Sequence, residues 1–330
     1  MEERDVIIIG AGPAGLSAAI FAQFDGWNTL VLEANWVGGQ SAIAYTVANY
    51  PGFPPGDGEV LVSYMEKQVT SPPPTGVGAE LRQEKVLRLD AKNLIVTTEA
   101  NQYQAKAIIL ATGSTMQKLG VPGEDKFVGN GVSYYAKRDY NQFSGKKVLV
   151  AGGGNSTAKS ALVAKSEASE VILVHRRESL RAYPAMTKRL QKEGIEIWYN
   201  TEVREIRGNN KVEAAVVINN KTAEQKEIAT DWVIICVGTE PNTKLAHEAG
   251  IEMEGKFVKV DNQTRTSNEG IFACGEITPG HRHLITSASE GASAGMAASE
   301  YLALEMIKKG ELFEGARNGK YADEFLSMLG

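Results

Sequence analysis

Residues 6–15 read Val6-Ile7-Ile8-Ile9-Gly10-Ala11-Gly12-Pro13-Ala14-Gly15. Four apolar residues suit a buried strand, and the stretch after them, to about Gln23, has helical character. A Gly-x-Gly-x-x-Gly turn between strand and helix carries a mechanism. Gly10 makes the tight turn. Gly12 lets backbone amides approach a pyrophosphate, whose charge the helix N-terminus favours. Gly15 permits close helix–strand packing. A second apolar run, Thr29–Leu32, ends in Glu33, where a carboxylate can accept hydrogen bonds from both ribose hydroxyls of a nucleotide.

The pattern returns further on. Val148–Ala151 leads into Gly152-Gly153-Gly154-Asn155-Ser156-Thr157, a helical stretch to about Lys165, and Val171–Val174 ending in His175. Gly10 maps to Gly152, Gly12 to Gly154, Gly15 to Thr157 and Glu33 to His175, all at a shift of 142 residues. Matches in one register imply two homologous folding units. The strand ends carry opposite charge. After the second comes His175-Arg176-Arg177, with Arg181 beyond it, and planar guanidinium forks suit a 2′-phosphate. The first unit reads as a dinucleotide site and the second as one suited to NADPH.

The chain has 330 residues, enough for two domains. A net charge of −5 gives no reason to expect nucleic acid or an anionic membrane as a partner. No apolar run reaches the ~20 residues that span a bilayer. The N-terminus enters a strand without a signal-peptide pattern, so a cytoplasmic location is expected. Cys236 and Cys274, 38 positions apart, form neither a Cys-x-x-Cys motif nor a metal-ligand spacing. Both lie in runs that read as buried strands. A boundary is expected in Gly113–Gly129, and a second crossover after Gly238–Asn242. Ser71-Pro72-Pro73-Pro74 reads as a surface turn. Thr286–Ser289 opens a long helix rich in small residues, suited to close packing. The polar tail after Gly310 reads as partly disordered.

Several segments together resemble the low-molecular-weight thioredoxin reductase family over nearly the whole chain. They are residues 10–15, Gly38-Gly39-Gln40, Asn49–Pro54, Ala111-Thr112-Gly113, residues 152–156, residues 175–181, and Gly275-Glu276 followed by Arg282-His283-Leu284. The resemblance implies an α/β fold of two Rossmann-like, three-layer nucleotide-binding domains. An FAD domain of residues 1–115 and 246–330 would hold an inserted NADPH domain of 118–243. A homodimer and domain rotation are also implied. Carried over by position, Gly39, Gln40 and Asn49 would lie near the flavin or its ribityl chain. Val86 would offer backbone to the adenine. Thr112, Gly113 and Gly275 join the FAD set, and His283 and Leu284 would present backbone to the isoalloxazine. Glu276 stands where the family usually has Asp, and would hold a ribityl hydroxyl. Asn155, Ser156 and Thr157 join the NADPH set, with Thr157 replacing the usual Ala. Lys159-Ser160 replaces a usual Glu pair.

One departure concerns function. The family places Cys-x-x-Cys shortly after Gly-Val-Ser and just before an Asp; here Gly131-Val132-Ser133 is followed by Tyr134-Tyr135-Ala136-Lys137-Arg138-Asp139. Tyr135 and Arg138 occupy the cysteine positions, and neither can exchange with a substrate disulfide. Tyr135 either covers a flavin ring or fills the space of the lost cysteine. Lys137, Arg138, Lys146 and Lys147 either dock an acidic electron-carrier protein or form a solvated face. The leading expectation is an oxidoreductase passing electrons from NADPH through FAD to a carrier of ferredoxin or flavodoxin type, or to a small acceptor. The alternatives are reduction of an external disulfide, by flavin or a partner thiol, and a non-catalytic flavin-binding regulator.

Overall fold

The computed structural model describes residues 1–44 and 46–309. The tail after Gly310 lies outside them. The chain forms two compact units: Met1–Ser114 with the segment from Pro241 onward, and Thr115–Glu240 between them. The first crossing, after Ser114, falls inside the Gly113–Gly129 stretch, and the second, after Glu240, falls within Gly238–Asn242. The expected start at 246 would have cut the short helix Lys244–Glu248.

The first unit is built on a seven-stranded sheet. Its parallel core runs Glu80–Gln83, Thr29–Glu33, Glu2–Ile9, Gln102–Leu110. Gln102–Leu110 pairs along one edge with two partners. Its start meets the antiparallel ribbon Ile95–Thr98 and Val86–Asp90, and its end meets the parallel strand Ile271–Ala273. Residues alternate between faces, as the pleat requires. Val6, Ile8, Val31 and Ile109 bury against the helices Pro13–Phe24, Gly58–Thr70 and Leu284–Lys308. Ile7, Ile9, Leu30, Leu32 and Ile108 bury on the other face with Val96, Tyr103, Ile251 and Val258. Strands buried on both faces need continuous apolar runs, which is why Val6–Ile9 does not alternate in polarity.

Small residues in Leu284–Lys308 set how closely it lies on Pro13–Phe24. A Cβ at Gly291 would overlap the Ala14 carbonyl, and one at Gly295 would stand 2.6 Å from the Ala18 oxygen. The proline turn expected after residue 71 follows the helix Gly58–Thr70, and Pro72, Pro73 and Pro74 are exposed.

The second unit holds a five-stranded parallel sheet in the order Glu196–Tyr199, Glu170–His175, Lys147–Gly152, Trp232–Cys236, Val132–Ser133. The helices Asn155–Lys165 and Pro184–Lys192 cover one face. On the other lies the antiparallel sheet of Thr201–Gly208, Val212–Asn219 and Gln225–Ala229. The internal repeat is visible in strand register. Val6 pairs with Thr29 and Ile9 with Leu32; Val148 pairs with Val171 and Ala151 with Val174. Both units therefore carry one βαβ construction, in the α/β, Rossmann-like class expected. No helix among the described residues is long and apolar enough to cross a membrane.

Candidate functional site

The first glycine turn is shaped by what a side chain would strike. Gly10 has φ +107°, and a Cβ there would overlap the Ala111 carbonyl oxygen. A Cβ at Gly15 would overlap the carbonyl oxygen of Gly10. Gly12 differs: nothing lies within 4 Å of where its Cβ would be. It caps the N-terminus of Pro13–Phe24 without a side-chain cap bond. The turn thus leaves open space beside the first-turn amides of Ala14 and Gly15, which have no intrahelical partner. That cradle fits the pyrophosphate of a dinucleotide. Glu33 lies beneath it. Its Oε2 accepts the Ala11 amide at 2.7 Å and its Oε1 the Asn35 amide at 2.8 Å. The Gly38 amide donates to the Ala11 carbonyl at 2.7 Å and brings Gly39 beside Gly12.

A second cluster joins three distant segments of the same unit. Gln40 Nε2 donates to Ser114 O and to Ser114 Oγ, both at 2.7 Å, and reaches Glu276 Oε2 at 3.4 Å. Ser114 Oγ donates to that same Glu276 oxygen. Glu276 stands on the turn Gly275–Ile277, which Glu290 holds from the long helix. Glu290 Oε2 accepts the Gly275 amide at 2.8 Å and Thr278 Oγ1 at 3.0 Å. Burial raises the Glu290 carboxyl above the usual range, and these two donors partly offset it. Thr112 and Gly113 are tied to Asn242: Thr112 Oγ1 donates to the Asn242 carbonyl at 2.8 Å, and Asn242 N donates to Gly113 O at 2.9 Å. His283 caps the helix Leu284–Lys308, its amide donating to Thr286 Oγ1 at 3.1 Å. Asn49 is exposed on a bend. Val86 is not brought to this cluster by any hydrogen bond. It begins the antiparallel strand at the sheet's other end and packs on the core of the opposite face. Ser114, Glu290 and Asn242 were missed by sequence reading. Isolated polar residues carry no signal until the fold brings them together.

The second turn repeats the first with altered parts. Gly152, φ +148°, abuts the Cys236 carbonyl as Gly10 abuts that of Ala111. Gly154, like Gly12, faces open space, so this cradle also fits a pyrophosphate. Thr157 is buried, and its hydroxyl donates to Cys236 O at 3.1 Å while accepting the Gly154 amide at 3.2 Å. Asn155 Oδ1 accepts the Tyr183 amide at 2.8 Å, and the Arg181 amide donates to Gly153 O at 2.7 Å. Ser156 and Lys159 are exposed. Arg176, Arg177 and Arg181 are exposed too, and none forms an ion pair among the described residues. His175 is placed otherwise. It is 5% exposed and its ring lies directly under Gly153, where any Cβ would overlap it. Burial holds the imidazole below its ordinary pKa; the carbonyls of Gly152 and Ser179 oppose this, and Arg181 and Arg177 add to it. His175 therefore props the turn, while the three arginines are free to meet an anion.

At the cysteine positions there is a locked ion pair. Tyr135 caps the short helix Ala136–Asp139, and its amide donates to Ser133 Oγ at 3.0 Å. The Arg138 guanidinium stands 5.2 Å from the Tyr135 ring centroid and donates to both oxygens of Asp139, at 3.1 and 3.2 Å. Burial raises the Tyr135 phenol, and Arg138 opposes that. Lys147 pairs with Glu170 at 3.3 Å. The basic cluster read from the sequence is thus partly neutralised. Burial disfavours a thiolate at either cysteine. Burial pushes the Cys236 thiol up to about 11, while its Sγ donates to Ser160 Oγ at 3.3 Å. Cys274 is 1% exposed, and burial drives its thiol higher still.

Known proteins agree with this geometry. A profile of the pyridine nucleotide-disulphide oxidoreductases matches residues 4–295. A thioredoxin reductase of Treponema pallidum is 38% identical over 305 residues, spanning 91% of this chain and 97% of the relative. A 34.2 kDa protein in the rubredoxin operon of Clostridium pasteurianum is 35% identical, across 91% and 98%. The crystal structure of Lactococcus lactis thioredoxin reductase superimposes with a TM-score of 0.86 at 33% identity, covering 91% of this chain and 99% of that one. The chain belongs to the pyridine nucleotide-disulphide oxidoreductase family, as an FAD- and NADPH-using, thioredoxin reductase-like flavoprotein without the Cys-x-x-Cys pair.

Proposed function

We propose that this oxidoreductase passes electrons from NADPH through FAD directly to an external acceptor, a protein electron carrier of ferredoxin or flavodoxin type or a small molecule, with no internal dithiol between. The observation that carries this reading is Tyr135 and Arg138 at the relay positions, joined to each other and to Asp139. A disulfide relay needs a thiolate that attacks and is regenerated. Cys274 is buried and Cys236 half-buried, and burial raises both thiols, which disfavours the thiolate. The relative from a rubredoxin operon adds support for a carrier protein.

Bound FAD would supply a site that accepts hydride from NADPH and returns electrons singly or in pairs. The first unit is assigned to FAD. Gly12, Pro13, Ala14 and Gly15 receive its pyrophosphate, Glu33 its ribose, and Gln40 and Glu276 its hydroxyl-bearing chain. Gly39, Thr112, Gly113, Gly275, His283 and Leu284 frame the same site. The second unit is assigned to NADPH. Gly152, Gly154, Asn155, Ser156 and Thr157 receive the pyrophosphate, and Arg176, Arg177 and Arg181 the 2′-phosphate. A homodimer belongs to the same proposal.

The test is an anaerobic acceptor screen after NADPH reduction, run beside insulin-coupled thioredoxin reduction. Turnover with ferricyanide or a ferredoxin-type carrier is expected, unchanged in a Cys236→Ser/Cys274→Ser variant, together with no thioredoxin turnover. Robust thioredoxin reduction that Cys274→Ser abolishes would overturn the reading.

A further inference from the structure

We infer that Ser114 is a positioning residue for the flavin site, fixing one oxygen of Glu276 so that the other is left to accept a hydroxyl of the cofactor's polyol chain. The inference rests on the FAD assignment above and deepens it.

Three side chains from separate segments meet here. Glu276 Oε2 takes the Ser114 hydroxyl and the longer contact from Gln40 Nε2. Glu276 Oε1 has no partner among the described residues. Ser114 is itself held, since Gln40 Nε2 donates to both its carbonyl and its hydroxyl oxygen at 2.7 Å. The hydroxyl therefore has one direction left for its proton, toward Glu276. The backbone under Glu276 is fixed separately by Glu290, through the Gly275 amide and Thr278 Oγ1.

Glu276 carries one methylene more than an Asp would at the same position. On an unchanged backbone an Asp carboxylate ends short of the point where Ser114 meets Glu276. Ser114 and Glu276 thus act as a matched pair, the hydroxyl fixing a side chain with an extra rotatable bond. A carboxylate held this way offers its free lone pairs in one direction, and pre-ordering lowers the entropy lost on binding. A charge-assisted hydrogen bond is stronger than a neutral one and more directional.

The experiment is a double-mutant cycle on FAD affinity, read by recovery of flavin fluorescence on dilution of the holoprotein. Ser114→Ala should weaken FAD about tenfold, as loss of one charge-assisted bond implies. Ser114→Thr, which keeps the hydroxyl, should restore most of it. Glu276→Asp should weaken FAD by a similar factor. The Ser114→Ala/Glu276→Asp protein should be no worse than Glu276→Asp alone, because Ser114 acts only through the longer carboxylate. Thermal melts of the apoproteins guard against general unfolding, since a positioning role predicts nearly equal melts. Wild-type FAD affinity in Ser114→Ala, or simple additivity of the two losses, overturns the inference. Glu276→Ala separates the levels. If it releases FAD while Ser114→Ala does not, only the inference fails. If Glu276→Ala and Gly12→Val both retain FAD fully, the FAD assignment itself fails.

Discussion

The two glycine turns share one scaffold, yet they solve its central contact in opposite ways. Beneath the first, the strand-end residue Glu33 supports the turn through a hydrogen bond from the Ala11 amide. Beneath the second, the equivalent residue His175 supports the equivalent position, Gly153, by ring packing that leaves no room for a Cβ. The third position diverges as well. Gly15 lies so close to the Gly10 carbonyl that no side chain fits, whereas Thr157 fits and its hydroxyl bonds the Gly154 amide and the Cys236 carbonyl. A turn can thus be closed by backbone contact or by a side chain standing in for it. The first closure depends on a missing Cβ, and the second on a hydroxyl.

The largest effect that would test this contrast comes from exchanging the third positions. Gly15→Ala drives a methyl into main chain that cannot yield without moving the strand, a cost of about 3 kcal/mol or more. The expected product is colourless protein that does not take up FAD on reconstitution. Thr157→Gly removes one buried hydroxyl and its two bonds, worth about 1–2 kcal/mol, and should keep its yellow colour. Equal damage from both changes would mean the turns are closed in the same way.

Much of this was legible in the sequence. The 142-residue shift reappears as strand register, because each βαβ unit is a local folding unit whose spacing is set by one turn and one helix. Beyond that unit the shift fails. Ile9 pairs with Leu110 and Ala151 with Ile235, so the carbonyls of Ala111 and Cys236 occupy equivalent places at a different spacing. The connections leading to those strands differ in length, and no single offset can carry the match through. His175 shares a motif with its arginine neighbours, yet adjacency in a motif does not say which side of the strand end a ring takes; here the ring is buried under Gly153. The contacts of Ser114 were illegible because they join segments far apart in the chain, and those of Glu290 because a lone acid inside a helix does not show that it faces the preceding turn.

A middle-sized effect tests the support beneath the second turn. Gly153→Ala sets a methyl against the His175 ring, and overpacking of this kind costs about 1–3 kcal/mol. NADP⁺ affinity, measured calorimetrically, should fall about tenfold or more. Combining it with His175→Ala makes room for the methyl, so the double variant should recover part of that loss. Ala11→Gly in the first turn should change FAD affinity little, since Glu33 needs the amide there and not the side chain. Full additivity at the second turn would break the claim that ring and glycine are matched.

The smallest effect is the pH response of the two supports. Burial holds His175 below the ordinary imidazole value of about 6.5, with Arg177 and Arg181 reinforcing it and the Gly152 and Ser179 carbonyls opposing it. The folded state therefore binds fewer protons here than the unfolded chain. Stability from this residue is present above that ordinary value and is lost as pH falls below it, toward the lower folded value. Asp25 and Glu290, whose carboxyls burial raises, act in the opposite sense: what they contribute is present at low pH and lost as pH rises. Their contribution is common to wild type and to a His175→Gln variant, so it cancels in the difference. Thermal melts from pH 7.5 down to about 5 should show the wild type losing stability relative to His175→Gln, whatever offset that substitution introduces at pH 7.5. The excess loss should appear in the unit Thr115–Glu240, read by hydrogen exchange along the strand Glu170–His175, and not along Thr29–Glu33. Parallel pH profiles for the two proteins would show that the ring is not held neutral by its burial, and that the second turn, like the first, is supported by a hydrogen bond.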